Sequence, residues 1–250
     1  MHLVENLALN CGCKIGKPEI QQVFSSLPFT DYITIDNGDE VKEKSYLFFN
    51  CVLRLIKPIL SQHGIKIVQV SKLKNDNICP GVDFDASHTS FRQKAYLISH
   101  SKLHVTVDSF SAQIAGMYDK KIVFLPSVLF KGNSKPFFGG SKNLRVVEPS
   151  IDFKPSLFSP EVVKRVDQIK PEEVAQNVLS LLNIDFPFPY ETILLGNGLV
   201  KTSVECIPNT YFQIASDEIV HIRLDYLYNE QNLLSLLNLN TCHIITNKII

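Results

Sequence analysis

The chain has 250 residues, of which 45% are hydrophobic and 20% are charged. That length is ample for a full hydrophobic core, and the composition excludes a disordered or collagen-like chain. The 25 basic and 25 acidic side chains give a formal net charge of zero, which argues against a protein that mainly coats nucleic acid or anionic membrane. We therefore expect a globular protein with no direct nucleic-acid signal.

The first residues lack the features of a signal peptide, because Glu5 and Asn6 stand where such a peptide needs an apolar run. No stretch reaches the roughly 18 consecutive apolar residues of a membrane span. Cys11 and Cys13 form a lone C-x-C, and neither the six cysteines nor the seven histidines show the spacing of a zinc site. These observations predict a cytoplasmic protein with free thiols, no membrane span and no metal site.

Short apolar strands alternate with helical patterns from residue 31 onward. Residues 32–35 are rich in β-branched side chains and end at the turn-prone residues 36–38, which predicts a first strand. A helix is predicted at 43–63, where Gly64 provides a stop signal, and a second strand at 65–70. The alternation therefore begins as β-α-β.

The same alternation continues to residue 183. Further strands are predicted at 82–85, 103–107, 121–125 and 144–147, and helices at 89–100, 109–118, from 159 and from 171. Strands separated by helices of this length imply right-handed crossovers and a mostly parallel sheet. We therefore predict an α/β fold with a Rossmann-like parallel sheet and flanking helices.

The stiff, proline-rich residues 185–190 suggest a boundary. The predicted domains are a joining segment at 1–30, a Rossmann-like domain at 31–184 and a smaller, partial α/β tail at 185–250. In the tail, strands are predicted at 191–196, 202–207, 219–226 and 242–248, and a helix at 229–239. Because this pattern is the opening of a further α/β unit, we expect the chain to be a piece of a longer protein or a degenerate gene product.

Polar side chains follow the predicted strand at 103–107, where open parallel sheets bind their ligands. Asp108 and Ser109 come directly after that strand, and Ser111 lies in the first turn of the next helix. Free backbone N–H groups and hydroxyls at a helix N-terminus form a site for phosphate or diphosphate. The alternative is that Asp108 or Ser109 only caps the helix, an interaction worth about 1 kcal/mol.

Two other loops at the same edge carry candidate residues. Lys42 and Lys44 lie at the predicted start of the helix at 43–63, so a lysine there can neutralise a phosphate. The alternative is a solvated, charge-balanced turn. His88 follows the predicted strand at 82–85 and is either a ligand contact or an ordinary loop histidine, while Thr89 or Ser90 caps the next helix.

Sequence motifs of three other site classes are absent. The chain has no G-x-x-x-x-G-K-[ST] loop for nucleoside triphosphates and no G-x-G-x-x-G after a strand. It also lacks the G-x-S-x-G elbow of α/β hydrolases.

Residues 31–183 resemble the C-terminal, nucleotide-sugar-binding half of GT-B glycosyltransferases. The match is best with the ADP-heptose lipopolysaccharide heptosyltransferase family, glycosyltransferase family 9. Lys44-Ser45-Tyr46 resembles the family's lysine-x-aromatic element, and Thr89-Ser90-Phe91 resembles a helix start of the family. The family signature is matched by residues 105–109 together with Gln113-Ile114-Ala115. Residues 121–125 resemble the strand after the signature, 171–182 the return helix, and 2–18 the segment between the two halves.

The resemblance implies a nucleotide-diphosphate sugar as donor substrate, with no further cofactor and no metal. Lys44 would offset the charge of the leaving diphosphate, and Ser109 and Ser111 would hold its phosphates. Asp108 would orient the loop. Gln113 would take the place of the family's signature histidine.

The chain also departs from the family pattern. Phe110 replaces the signature glycine, Gln113 replaces the histidine, and nothing upstream of Asp31 matches the acceptor-binding half that supplies the family's catalytic base. One hypothesis is a glycosyltransferase-like protein that acts on an unknown acceptor and is active only with a missing N-terminal half or with a partner chain that supplies it. Its catalytic residue is unknown. The other is a non-catalytic, GT-B-derived binding or scaffold module. A nucleotide-sugar epimerase of the same architecture ranks lower, because it also needs two complete halves.

Overall fold

The computed structural model describes residues 1–38, 44–71, 78–149, 154–157, 164–188 and 192, and then 203–206, 219–224, 227, 229 and 242–245. The chain divides into two compact units, Met1–Ile193 and Leu194–Ile250. None of the helices in these described ranges is long and apolar enough to cross a lipid bilayer. The predicted domain boundaries at residues 30 and 184 stay predictions.

The first unit contains a six-stranded sheet in which all neighbouring strands are parallel. Its strands are β1 (Tyr32–Asp36), β2 (Lys66–Gln69), β3 (Phe84–Asp85), β4 (His104–Val107), β5 (Ile122–Leu125) and β6 (Leu144–Val146). Their order is β3-β2-β1-β4-β5-β6, so the chain runs outward to β3 and returns to β4 beside β1. The predicted α/β fold with a parallel sheet is confirmed.

Helices cover both faces of this sheet, with α2 and α6 on one face and α3 and α4 on the other. The helices of the first unit are α1 (Leu3–Cys11), α2 (Phe49–Gln62), α3 (Phe91–His100), α4 (Phe110–Met117), the short α5 (Lys131–Ser134) and α6 (Pro171–Leu181). Ile33 and Ile35 of β1 pack in one hydrophobic cluster with α2 and α6, whereas Tyr32 packs in a second cluster with α3 and α4. Successive strand residues point to opposite faces, so the even-numbered residues of β1 face α3 and α4.

The helix α1 lies in the segment predicted as a joining segment, for which we made no prediction of secondary structure. His2 caps it: its Nδ1 accepts a hydrogen bond from the Val4 N–H at 3.1 Å, and Glu5 accepts one from the His2 N–H at 2.7 Å. Gly12 ends the helix in the left-handed conformation, with φ of 64°. These are ordinary start and stop signals, so the sequence did carry the information.

The predicted start of the second helix at residue 43 is wrong, because α2 begins at Phe49. The preceding residues make contacts that compete with helix formation. The Leu47 N–H donates to Asp167 Oδ1 at 2.8 Å, and the Tyr46 hydroxyl donates to the Ile169 carbonyl at 2.7 Å. Residues 39–43, including Lys42, lie outside the described residues.

The second unit contains a parallel three-stranded sheet of β7 (Ser203–Cys206), β8 (Ile219–Arg223) and β9 (Cys242–Ile245), in that order. The strands predicted at 202–207, 219–226 and 242–248 are therefore confirmed. Apart from Thr192 and Asn229, the predicted strand at 191–196 and helix at 229–239 fall outside the described residues, as does the helix start at 159.

Candidate ligand site at the carboxyl edge of the sheet

The strand order of the first sheet reverses between β1 and β4. In open α/β sheets, such a switch point leaves a crevice outside the carboxyl ends of the two strands, and ligands bind there. Asp36 ends β1 at this point, and Asp108 and Ser109 follow β4. The topology therefore brings together the predicted residues Asp108, Ser109 and Ser111, together with Asp36, which we had not predicted as a site residue.

The helix α4 begins at this edge without a side-chain cap. Ser109 occupies the N-cap position in an extended conformation, but its hydroxyl accepts no capping hydrogen bond from the backbone of the first turn of the helix. Instead, the hydroxyls of Ser109 and Ser111 donate to Oδ2 of Asp36 at 2.8 and 2.6 Å. The alternative that Ser109 caps the helix is therefore wrong.

Behind Asp36 lies a buried chain of hydrogen bonds. Nε2 of His104 lies 2.8 Å from the Ser111 hydroxyl oxygen, and Nδ1 lies 2.9 Å from that of Thr34. Because Ser111 gives its proton to Asp36, its oxygen accepts from the Nε2–H of His104. With the hydrogen on Nε2, Nδ1 of the neutral imidazole is the acceptor nitrogen and faces the Thr34 hydroxyl.

Burial moves the pKa values at the two ends of this chain in opposite directions. Burial lowers the pKa of His104 from 6.5 to about 3, against a smaller opposing effect of a hydrogen bond with the Thr34 backbone. Burial raises the pKa of Asp36, although the hydrogen bonds from Ser111, Ser109 and the Gly38 N–H each act to lower it. A carboxyl group with a raised pKa at a cleft is a candidate functional group.

These residues line a cavity of about 520 Å³, which we call the switch-point cavity. The rings of Phe91 and Phe110 lie 4.6 Å apart, centroid to centroid, on its wall. Its apolar walls and few convergent polar groups are typical of small-molecule sites. Its lining includes Asp36, Lys94, Ser109, Ser111, Phe91 and Phe110.

Lys44 is brought to Asp108, as both were predicted at the same edge. Its Nζ lies 3.9 Å from Asp108 Oδ2, which accepts no hydrogen bond from the described residues. Burial raises the pKa of Asp108, and the positive charge of Lys44 is the larger of two effects that act to lower it, the other being His2. The carboxylate therefore offers an unfilled acceptor atom close to a lysine.

The amide of Gln113 holds a backbone segment in place. Its Nε2 donates to the Ser134 carbonyl at 3.0 Å, and its Oε1 accepts from the Phe137 N–H at 3.1 Å. Gln113 lines a second cavity of about 400 Å³, which shares Phe110 with the switch-point cavity. Its role in ligand binding stays a prediction.

His88 also lines the switch-point cavity, with its Nε2 3.8 Å from Asp85 Oδ2. Across the residues that the structure describes, no group of three histidine, cysteine or acidic side chains is placed to hold a metal ion. Among the candidate caps of α3, Ser90 has that role, because its hydroxyl accepts from the Gln93 N–H.

Sequence reasoning missed Asp36, Thr34, His104 and Lys94. A signal was present in the strands, since Thr34 and His104 interrupt otherwise apolar runs. Both side chains are fully buried, and a buried polar group needs a partner. The partner could not be read from the sequence, because about 70 residues separate the two strands and their pairing depends on the strand order.

No protein-family model matches the chain, and no curated protein matches it. The structure is similar to the E. coli heptosyltransferase WaaC solved with ADP, at 17% identity and a TM-score of 0.47, over 71% of this chain and 54% of that one. It is also similar to the glycosyl transferase family 9 protein from Veillonella parvula, at 17% identity and a TM-score of 0.47, over 61% and 46% of the two chains. The E. coli ADP-heptose lps heptosyltransferase II is similar at 18% identity and a TM-score of 0.45, over 64% and 48%. The chain spans about half the length of these proteins.

Proposed function

We propose that the switch-point cavity binds a nucleotide-diphosphate sugar, and that the chain transfers the sugar to an acceptor together with an N-terminal half. One observation carries the proposal. The N-terminus of α4, with no side-chain cap, lies where the strand order reverses, beside a cavity of about 520 Å³. The match of residues 105–115 to the family signature supports the same site.

The proposed chemistry is electrostatic. When the bond between the anomeric carbon and the diphosphate breaks, negative charge gathers on the leaving diphosphate. Backbone N–H groups at the start of α4 and the ammonium group of Lys44 stabilise that charge, because they are already in position before the reaction. Asp108 positions Lys44 across 3.9 Å. The base that activates the acceptor belongs, on this proposal, to the N-terminal half.

A non-catalytic binding module is the second candidate function. Phe110 favours it, since this ring occupies the position of the signature glycine and is 59% exposed at the cavity wall. A side chain there hinders close approach of a diphosphate to the backbone. The flanking coding sequence distinguishes the two, because an upstream Rossmann half favours sugar transfer and its absence favours the binding module.

Thermal shift with ADP, UDP, GDP, CMP and their sugar conjugates tests the site. Ligand at about 100 times its dissociation constant adds about 2.7 kcal/mol to the free energy of unfolding, which is a shift of several degrees. We expect one nucleotide to stabilise the protein, and Lys44→Ala and Asp108→Ala to lose that shift.

Lys102→Ala is the matched control. Lys102 pairs with Asp31 at 2.6 Å, and both residues precede strands, so they lie at the opposite edge of the sheet. This variant should keep the full nucleotide-dependent shift. The proposed site is contradicted if no nucleotide changes the melting temperature of the folded protein, or if all three variants lose the nucleotide-dependent shift equally.

A further inference from the structure

Asp36 places a negative charge on the wall of the proposed anion site. The residue is 7% exposed and lines the switch-point cavity at the end of β1. Its Oδ2 accepts the hydroxyl hydrogens of Ser109 and Ser111, and its Oδ1 accepts from the Gly38 N–H at 3.2 Å. The two hydroxyls that we expect to bind a phosphate therefore donate their hydrogen bonds to a carboxylate of the protein itself.

An anion cannot use those hydroxyls while they donate to Asp36. Each hydroxyl has a single hydrogen, and two negative charges in one partly enclosed cavity repel strongly. We propose that Asp36 controls anion binding in the switch-point cavity, such that an anionic ligand engages Ser109 and Ser111 only when the Asp36 carboxyl is protonated, and binding takes up one proton. This inference rests on the proposed nucleotide site and names a device that regulates it.

The hydrogen-bond chain permits the required rearrangement without moving the backbone. A protonated Asp36 donates its own O–H to Ser111, whose oxygen also accepts from the Nε2–H of His104 at 2.8 Å. The hydrogens of Ser111 and Ser109 are then released from Asp36 and can turn toward the ligand, with the Thr106 hydroxyl oxygen, at 3.1 and 3.0 Å, as the competing acceptor. Protonation of Asp36 therefore allows the hydroxyls of Ser109 and Ser111, which otherwise donate to the Asp36 carboxylate, to donate to a ligand in the cavity.

The titratable and charged groups around Asp36 come from several elements. Lys94 of α3 lines the same cavity and acts electrostatically on Asp36. His104 on β4 stays neutral through weakly acidic pH, because burial lowers its pKa to about 3. Asp108, which faces Lys44 beyond β4, is a second carboxyl group whose pKa is raised by burial. His88, between β3 and α3, also lines the cavity.

Burial already raises the pKa of Asp36. A bound anion raises it further, since a nearby like charge disfavours the ionised form. The pKa of Asp36 is therefore higher in the complex than in the free protein. Binding takes up a proton because a ligand that prefers the protonated state shifts the protein toward that state.

The test is calorimetric titration with ADP-glucose and, separately, with inorganic sulfate, from about pH 5 to about pH 8. Neither probe changes its own charge in this range. We expect wild-type affinity to rise as the pH falls, by up to about tenfold per pH unit. Titrations in buffers of different ionisation enthalpy should show uptake of one proton per ligand bound.

Asp36→Asn should bind both probes more tightly than the wild type at the alkaline end and lose the pH dependence. His88→Asn should keep the wild-type dependence. Affinity of the wild type that does not change with pH, or a pH dependence that survives in Asp36→Asn, overturns the role of Asp36. If Asp36→Asn does not fold, the proton counts of the wild type, His88→Asn and Asp108→Asn decide the question, because uptake of one proton that persists in both variants excludes His88 and Asp108 as its source.

The two proposals fail in different ways. Binding of ADP-glucose that is independent of pH contradicts the control by Asp36 and leaves the proposed nucleotide site standing. Failure of both probes to bind at every pH, in the wild type and in Asp36→Asn, contradicts the site and the control together. Proton-linked binding of sulfate without binding of ADP-glucose supports the control and contradicts the nucleotide.

Discussion

At the scale of single residues, His104 lies fully buried on a strand, and both of its ring nitrogens have partners. A neutral imidazole satisfies Thr34 and Ser111 at once, by accepting at Nδ1 and donating at Nε2. Protonation would place a second hydrogen on the nitrogen that faces Thr34 and a charge inside the core. The structure therefore holds this histidine uncharged.

The first prediction concerns acid stability. Because the pKa of His104 falls from 6.5 to about 3 on folding, the unfolded chain binds a proton below about pH 6.5 that the folded chain does not. The free energy of unfolding should therefore fall as the pH drops from about 6.5 toward 3, by up to about 1.4 kcal/mol per pH unit. Urea unfolding across this range measures the slope.

Asp36 acts with the opposite sign and must be separated from His104. Its raised pKa gives stability that is present at low pH and lost as the pH rises through the folded-state value. The slope is therefore measured in an Asp36→Asn background. There, His104→Asn should flatten the slope, whereas His100→Asn should not, because His100 is exposed at the end of α3. An unchanged slope in His104→Asn refutes the assignment.

The sequence predicted one side of the candidate site but not the other. Asp108, Ser109 and Ser111 follow a strand directly, and local order alone places them at its carboxyl end. Asp36 also ends a strand, but its importance comes from the parallel pairing of β1 with β4, in which Asp36 lies opposite Thr106. That pairing is a property of the strand order, which alternation along the chain does not specify.

At the scale of elements, α4 packs closely against the segment at 136–139. A Cβ added at Gly116 would lie 2.7 Å from Pro136 Cβ and still closer to the Phe138 carbonyl oxygen. Gln113, one turn earlier on the helix, holds the same segment through the Ser134 carbonyl and the Phe137 N–H. The glycine at position 116 therefore permits the close packing of α4 against this segment.

Gly116→Ala should therefore destabilise the protein by about 1–3 kcal/mol, the usual cost of overpacking a tight contact. Gly132→Ala is the matched control, because no heavy atom lies within 4 Å of a Cβ at that position on α5. The control should leave stability unchanged or raise it by up to about 1 kcal/mol through helix propensity. Thermal and urea unfolding of the two variants measure both effects; equal stabilities speak against the close packing at Gly116.

The start of α2 illustrates a limit of helix prediction from sequence. Apolar periodicity predicts a helix from residue 43, yet residues 44–48 are held by Asp167 and Ile169, which lie about 120 residues later. The long-range hydrogen bonds donated by the Leu47 N–H and the Tyr46 hydroxyl outweigh the helix propensity of these residues, which differs by only a few tenths of a kcal/mol per residue. Nothing near Tyr46 in the sequence reveals those partners.

At the scale of the whole molecule, the chain consists of two compact units. Both described hydrophobic clusters draw their residues from 20–188, and the residues that line the switch-point cavity lie between Asp36 and Ile114. The first unit therefore contains its own core and the whole lining of the candidate site. Core and site in one unit are what an independently folding domain requires.

Residues 1–193 expressed alone should unfold in one cooperative urea transition, since their described core is self-contained. They should also keep whatever nucleotide-dependent thermal shift the full chain shows. Tyrosine fluorescence and circular dichroism follow the transition, with the full chain as control. A broad transition without a near-ultraviolet circular dichroism signal, or loss of the nucleotide-dependent thermal shift, contradicts the claim that residues 1–193 contain both the core and the site.

The ring of Phe110 is a wall of the switch-point cavity and of the second cavity. Its side chain is 59% exposed and rests against the ring of Phe91, so it is not locked into the core. A turn of this ring into either cavity takes space from that cavity and adds space to the other. Phe110 and Ile114 line both cavities, so the shape that a ligand meets on one side depends on side chains that also shape the other.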